Sequence, residues 1–503
     1  MTDHITPRMF SEPWKEDNDT LIATLGGKGG NLYRMTVEMG LPVPEGFTIP
    51  TTWTEKHLAK WSIDPDLKSK LDVPLKRLAL ATGRKFGDPK NPLLVSVRSG
   101  APKSMPGMME TILNLGLNDK TVVGLAAQTN ERFAWDSYRR FVQMYAVTAL
   151  DMDPEPFNDH TAAAKAFTAT GDLDVTILKR LVKKFKAMVK EAGHSIPDDV
   201  NEQLHGAILA VFKSWYADKA VTYRNIEGIP HDLGTAVNVQ RMVFGNMNDK
   251  SGTGVVFTRD PNTGENTPYG DFLINAQGED VVDGSTATMP LEAMSEHFPA
   301  QYKKLVKIMG DLEKHFNDMC DIEFTIENSK LFILQTRAGK RNPNAAVRIA
   351  LDMFESKLID KDTAFDRITS VKTSAKQDSG VFNGVLIGSG LPASPGKVFG
   401  KAVFTSEDAV TMADAGEDVI LIRQETSPND ISGMSVATGI LTAKGGLVSH
   451  AAVVARGWGK PCVVGMDTMV VSEIRAMVGG VHKIEKGDLV CIDGETGEVF
   501  LGS

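Results

Sequence analysis

Cysteine is scarce: Cys320, Cys462 and Cys491 are scattered through 503 residues without a CxxC pair. That argues against a disulfide framework or a thiolate zinc site and fits a reducing compartment. Long apolar runs are missing too, none approaching the ~20 residues that span a bilayer. The opening MTDHITPRMFSEPWKEDND is polar and lacks the apolar core of a signal peptide. The expected location is therefore cytoplasmic, with no membrane partner. Positive charge is not in excess, since 55 Lys+Arg against 64 Asp+Glu give a net charge of −9. This argues against nucleic acid as the main partner and leaves room for local basic pockets. No internal repeat or low-complexity tract is found. What remains is a globular composition, 42% hydrophobic and 24% charged, at a length that predicts two or more domains.

The fold class expected from the pattern is α+β and multidomain. Residues 1 to about 110 mix Gly/Pro punctuation with β-rich runs such as PLLVSVRSG. Residues 119–205 turn helical: TVVGLAAQTNERFAWDSYRRFVQMYA and DVTILKRLVKKFKAMVKEAG space apolar residues by three and four. Strands return in GTAVNVQRMVFGN, GTGVVFTRDP, GDFLINAQGE, CDIEFTI and KLFILQTR. A helical link containing NAAVRIALDMFESKL follows, then the polar stretch TSAKQDSG, which reads as a linker. The expected division is 1–341, a connector 342–380, and a compact β/α unit 381–503.

Four segments carry candidate chemistry. In LGGKGGNLYRM, Gly26, Gly27, Gly29 and Gly30 surround Lys28 ahead of a helical pattern. Glycines let backbone N–H groups approach a phosphate and lysine adds a point charge. The spacing is not that of a P-loop, and a glycine turn with a solvated lysine fits equally. In LVSVRSGAPKSMPGMMETILNLG a strand delivers Arg98 into a Gly/Met-rich loop, an arrangement suited to closing over an anionic ligand. In GGLVSHAAVVARGWGKPCVVG, His450 stands between a glycine pair and an Ala/Val run, either a buried polar residue at a helix start or an exposed nucleophile.

The fourth segment, CDIEFTIENSKLFILQTR, reads as a hairpin. Alternation puts Asp321, Glu323 and Thr325 on one face of the first strand and Ile333, Gln335 and Arg337 on one face of the second. A three-residue loop, 328–330, pairs Glu323 with Gln335 and Asp321 with Arg337, whereas a two-residue loop would send the polar sets to opposite faces, so the three-residue register is expected. Mg²⁺ takes hard oxygen ligands and keeps several waters, so Glu323 and Gln335 suffice to hold it. Arg337 is suited to gripping a phosphate bidentately. A solvated hairpin with a surface ion pair is the other reading.

These segments resemble the pyruvate phosphate dikinase family in order along the whole chain, the SMPGMM stretch being the most specific. The resemblance implies an ATP-grasp nucleotide-binding domain, 1–341 with a helical insert at about 119–205, and a swivelling β/β/α phosphohistidine domain, 381–503. It implies phosphate contacts for Lys28, Arg98 and Arg337 and metal contacts for Glu323 and Gln335, with Asp321 beside them. It also implies adenine contacts for Gln240, Met242 and Val243, a ribose contact for Glu279, and phosphorylation of His450. ATP and inorganic phosphate are the implied substrates, Mg²⁺ the cofactor, and AMP, pyrophosphate and phosphohistidine the products.

A helix starting near Ser449 aims its dipole at the phosphorylated imidazole. Gly445 and Gly446 let the loop enter a cleft, and Gly457 ends the helix. Two departures stand out. The family's GGMTSH is GGLVSH here, which puts Val448 where some members carry a regulatory threonine and leaves Ser449 as the nearby hydroxyl. The family continues into a (β/α)8 barrel for pyruvate and phosphoenolpyruvate, whereas this sequence ends at TGEVFLGS. The expected function is the ATP-side half reaction of a pyruvate phosphate dikinase. A phosphocarrier subunit serving a separate barrel polypeptide is the alternative, and a regulatory ATP-binding module is a third.

Overall fold

A computed structural model describes residues 5–56, 62–168, 171–282, 288–371 and 383–502. The expected linker at 373–380 lies outside the described residues. The chain divides into two compact units: Met1–Arg224 with Gly228–Val243, and Asn225–Glu227 with Phe244–Ser503.

The first unit opens with helix α1 (Asn18–Tyr33), where the Asp17 carboxylate accepts the Thr20 N–H at 2.7 Å as N-cap. Helix therefore begins before the glycine cluster rather than after it. The cluster kinks the helix, with Gly26 at φ 69° and ψ 169°, a region that favours glycine. The kink brings the chain onto a five-stranded sheet of β1 (Arg8–Met9), β2 (Gly46–Ile49), β3 (Val95–Gly100), β4 (Thr111–Leu115) and β5 (Ala236–Arg241). The sheet order is β1-β2-β5-β3-β4. A Cβ on Gly26 would lie 1.7 Å from the Gly100 carbonyl oxygen, which leaves no room for one. Gly26→Ala is therefore expected to lower the stability of this unit by about 2 kcal/mol, through backbone strain and forced separation of α1 from β3. An unshifted urea midpoint would contradict this.

Five helices cover residues 121–214: α2 (Thr121–Gln128), α3 (Glu131–Ala149), α4 (Glu155–Ala166), α5 (Val175–Glu191) and α6 (Val200–Ser214). The run read as one helical stretch breaks at Asn130, whose side chain caps α3 by accepting the Phe133 N–H at 2.8 Å. In α5 the three- and four-residue spacing buries Leu178, Leu181, Val182, Phe185 and Val189.

The second unit carries a five-stranded antiparallel sheet of β6 (Gly252–Phe257), β7 (Tyr269–Ile274), β8 (Met289–Pro290), β9 (Cys320–Glu327) and β10 (Lys330–Ala338). Its order is β8-β7-β6-β9-β10. A short helix α7 (Gly278–Val282) follows β7. The long α8 (Pro299–Phe316) precedes β9, and α9 (Pro343–Glu355) follows β10.

The same unit holds an eight-stranded sheet of β11 (Gly384–Ser389), β12 (Leu391–Ser394), β13 (Lys397–Val403), β14 (Val419–Arg423), β15 (Gly439–Thr442), β16 (Cys462–Val464), β17 (Leu489–Asp493) and β18 (Glu498–Gly502). The order is β11-β18-β17-β13-β14-β15-β16-β12. Strands β13 to β16 are parallel, with helices α10 (Ser406–Asp414) and α11 (His450–Trp458) in the crossovers. Ile420, Ile422, Leu441, Val463, Val490 and Ile492 belong to its core. No helix among the described residues is long and apolar enough to cross a membrane.

Candidate functional site

Register places two candidates, Arg98 and Gln240, on one face of the first unit's sheet. Arg98 on β3 stands opposite Asn238 on β5, and Ser96 opposite Gln240. Because side chains alternate, Arg98, Gly100, Asn238 and Gln240 share that face. A Cβ on Gly100 would lie 3.3 Å from Lys28 Cβ, so Lys28 sits over the same face. Gln240 Nε2 donates to the Pro44 carbonyl at 3.2 Å. Met242 and Val243, both buried, follow at the end of β5. Asn238 was not singled out from sequence. It is fully buried, its Oδ1 accepts the Thr48 hydroxyl at 2.8 Å, and its Nδ2 has no hydrogen-bond partner. The signal was the alternation in VNVQ, which puts it on Gln240's face. The SMPGMM loop is pinned through Met105 and Met108, both buried.

In the second unit the hairpin pairs Asp321 with Arg337 and Glu323 with Gln335, as expected, but by another route. The turn has two residues, not three: Asn328 and Ser329, at φ 45° and 65°, the left-handed pair that a tight hairpin demands. Beyond it Glu327 pairs with Lys330 and Phe324 with Ile333, and a bulge at Leu334 then restores the polar register. Ile333, paired with Phe324, faces away from Gln335 and Arg337 instead of alongside them.

Arg337 Nε donates to Asp321 Oδ2 at 2.7 Å and Gln335 Nε2 to Glu323 Oε1 at 3.2 Å. Burial pushes the Asp321 carboxyl upward and Glu323 adds to this, while Arg337 and Arg456 pull it down. Asp321 Oδ1 and Gln335 Oε1 are both buried without a hydrogen-bond partner. Unpaired buried oxygens are costly, and two of them on one hairpin face fit a hard cation that takes few protein ligands. Among the described residues, no group of three or more His, Cys, Asp or Glu side chains could hold a metal ion. Any hard cation on this face would therefore have to draw on the Gln335 amide as well as on carboxylates. Glu279 lies on α7, which packs against β6 and β7.

The same face continues across β6 and β7, where Asp321 pairs with Phe257, Glu323 with Val255, and Val255 in turn with Asp271. The loop ahead of His450 packs here. Val448 is buried in a cluster with Val255, Phe257, Leu273, Ala276 and Val281. A Cβ on Gly446 would lie 2.9 Å from Asp271 Oδ2 and 3.1 Å from Thr288 Oγ1, so glycine is what permits the approach. Gly445 turns the loop at φ 107°. His450 then opens α11, directly after the N-cap Ser449, whose buried hydroxyl makes no capping bond. The helix ends at Trp458 with Gly459 in the left-handed conformation at φ 63°. The glycine that stops it is thus Gly459 and not Gly457, which lies in the last helical turn.

His450 is half-buried, with Nδ1 3.2 Å from Thr426 Oγ1. Thr426 follows β14 and the histidine loop follows β15, two adjacent parallel strands whose carboxyl ends are where open α/β sheets hold ligands. That topology was the missing signal, since RQETSPND carries no motif of its own.

Asp271 was also missed. Burial raises its pKa to about 6, with Glu292 adding to the rise, against the Thr288 hydroxyl, the Leu447 N–H and Arg456. An acid whose pKa rises on folding contributes stability below its unfolded value of 3.8, and this is lost as pH climbs through about 6. The unfolding free energy of the wild type relative to Asp271→Asn is expected to fall by about 2 kcal/mol between pH 4 and pH 7. Urea unfolding of both proteins at the two values tests this, and a constant difference would refute it.

The sequence matches the family described as "Pyruvate phosphate dikinase, AMP/ATP-binding domain" over residues 54–290 and 286–358, and "PEP-utilising enzyme, mobile domain" over 415–497. The pyruvate, phosphate dikinase of Clostridium symbiosum is 47% identical over 97% of this chain and 57% of its own length. Pyruvate, phosphate dikinase 2 of Zea mays is 45% identical over 98% of this chain and 57% of its own length. For the pyruvate, phosphate dikinase of Rhizobium meliloti (strain 1021) the figures are 45%, 97% and 56%. The chain thus spans little more than half the length of these curated relatives.

Proposed function

The chain belongs to the pyruvate phosphate dikinase family, and from that premise we propose that it performs the ATP-side half of the dikinase reaction. ATP and inorganic phosphate become AMP and pyrophosphate, and His450 becomes phosphohistidine. Residues 1–341 serve as an ATP-grasp nucleotide-binding domain, 342–380 as connector, and 381–503 as a swivelling phosphohistidine domain. The observation that carries this reading is the packing of the His450 loop on the sheet face bearing Asp321, Glu323, Gln335 and Arg337.

Lys28, Arg98 and Arg337 neutralise the triphosphate. Gln240, Met242 and Val243 receive the adenine, and Glu279 the ribose. In the tautomer whose Nδ1–H donates to the Thr426 hydroxyl, the Nε2 lone pair is left as nucleophile. Nε2 attacks the β-phosphorus, the bond from that phosphorus to the α-phosphate oxygen breaks, and AMP leaves. An oxygen of inorganic phosphate then attacks the γ-phosphorus, and pyrophosphate departs, leaving one phosphoryl group on His450. Mg²⁺ held by Glu323 and Gln335, with Asp321 alongside, would supply charge neutralisation at the phosphate oxygens. Positioning and fixed charge suit phosphoryl transfer, which asks little covalent chemistry of a protein. The phosphoryl group is then passed on to pyruvate, giving phosphoenolpyruvate.

Product analysis tests the reading. Incubation with ATP is expected to yield AMP and pyrophosphate in equal amounts only when inorganic phosphate is present. ADP as the main product would overturn the assignment.

A further inference from the structure

Arg456 lies two turns into α11 from His450 and is fully buried. One Nη2–H donates to the Leu447 carbonyl, in the turn just before the histidine. Its guanidinium carbon lies 5.4 Å from the ring centroid of Phe257 on β6, the residue paired with Asp321. Its Nε and Nη1 are buried without a partner. A buried guanidinium with one hydrogen bond, one aromatic face and only through-space attraction to acids such as Asp321 and Asp271 is poorly compensated, and an apolar side chain of similar size is often no less stabilising in such a place. Stability therefore does not account for this residue. Its contacts do suggest a role, because a single rigid side chain joins the turn that aims the imidazole to the strand beside Asp321.

We infer that Arg456 is a positioning residue for phosphoryl transfer, holding the Leu447 turn against Phe257 so that His450 meets the phosphate-bearing face in one geometry. The inference rests on His450 being the phosphoryl acceptor. Arg456 touches neither imidazole nor substrate in this role and acts through the backbone of the loop. Misplacing a nucleophile by about 1 Å costs on the order of a hundredfold in rate, which sets the scale of the expected effect.

The experiment compares wild-type protein, Arg456→Met and Arg456→Lys with two phosphoryl donors. With [β-³²P]ATP, Arg456→Met is expected to label His450 about 100-fold more slowly, with ATP affinity and Tm close to wild type. Arg456→Lys keeps the charge and a donor to Leu447 and should recover part of the loss. With phosphoramidate, a small donor that needs no nucleotide site, all three proteins are expected to react at similar rates. Equal labelling of wild type and Arg456→Met by ATP would overturn the inference. So would a parallel loss with phosphoramidate, which would put the defect in the imidazole, or a Tm collapse shared by both variants. Failure of the wild type to label from ATP would instead sink the phosphohistidine reading itself.

Discussion

His450→Ala is expected to bring labelling from [β-³²P]ATP to background while ATP binds with its affinity changed by less than about threefold. The two halves of this expectation come from different residues. Transfer needs a nucleophile whose lone pair points at phosphorus, and alanine has none to offer. Binding is assigned to Lys28, Arg98, Arg337 and the β5 residues, none of which the substitution touches. The geometry adds a reason for the fold to survive: His450 is half-buried at the first position of α11, and its Nδ1 contact is with the hydroxyl of Thr426, on a neighbouring loop. Alanine suits a helix start sterically and propagates the helix well. The Val448 cluster and the Asp271 approach to Gly446 also stay in place. Stable label on the alanine variant would mean that another side chain accepts the phosphoryl group, and the function proposed above would fall. Loss of ATP binding together with label would place the imidazole in the nucleotide site rather than at its edge.

The hairpin shows how far sequence carried the site. Alternation of charge with Ile and Phe located Asp321, Glu323, Gln335 and Arg337 on one face, and pairing followed from counting residues. The turn is one residue shorter than expected because Asn328 and Ser329 both adopt left-handed φ, which a serine seldom signals. The bulge at Leu334 escaped because nothing local distinguishes that leucine from its neighbours. Two errors of one residue each cancelled, so the polar pairs were right while Ile333 was not. In the first unit, likewise, the glycines were read as a turn before a helix. They are a kink within one, because Asp17 starts the helix and Gly26 makes room for the Gly100 carbonyl.

The environment of His450 was less legible for a different reason. Its loop was visible as glycines ahead of an imidazole, but what the loop meets is set by contacts far apart in the chain. Thr426 is 24 residues away, and Asp271 and Phe257 belong to the other sheet. Such contacts leave no periodicity in a single sequence. Val448 is the instructive case. Sequence marked it as a departure from the family's threonine, and the structure adds that its side chain is buried among Val255, Phe257 and Leu273. A hydroxyl there would have to be satisfied in an apolar pocket, at a cost of roughly 1–3 kcal/mol if it were not.

Glu323→Ala and Gln335→Ala are each expected to slow single-turnover phosphorylation of His450 by about 10²–10³-fold, the usual loss when one preorganised group facing developing charge is removed. They should also raise the Mg²⁺ concentration that gives half-maximal rate. The physical reason lies in how the four polar groups divide. Asp321 Oδ2 and Arg337 satisfy each other at 2.7 Å, which leaves Asp321 Oδ1 and Gln335 Oε1 as buried oxygens without hydrogen-bond partners. Gln335 Nε2 reaches Glu323 at 3.2 Å, so each of the pair holds the other in place. Removing either takes away an oxygen ligand and loosens the remaining one. Part of the loss should therefore return at high Mg²⁺, whereas no amount of Mg²⁺ should restore His450→Ala. Asp321→Asn separates the roles further: it weakens the grip on Arg337 and should impair ATP affinity more than the Mg²⁺ midpoint. If instead the hairpin face is a structural ion pair that holds no cation, Glu323→Ala and Gln335→Ala would leave both midpoint and rate within a factor of about two, and Asp321→Asn would show only as a loss of stability, as breaking a buried pair does.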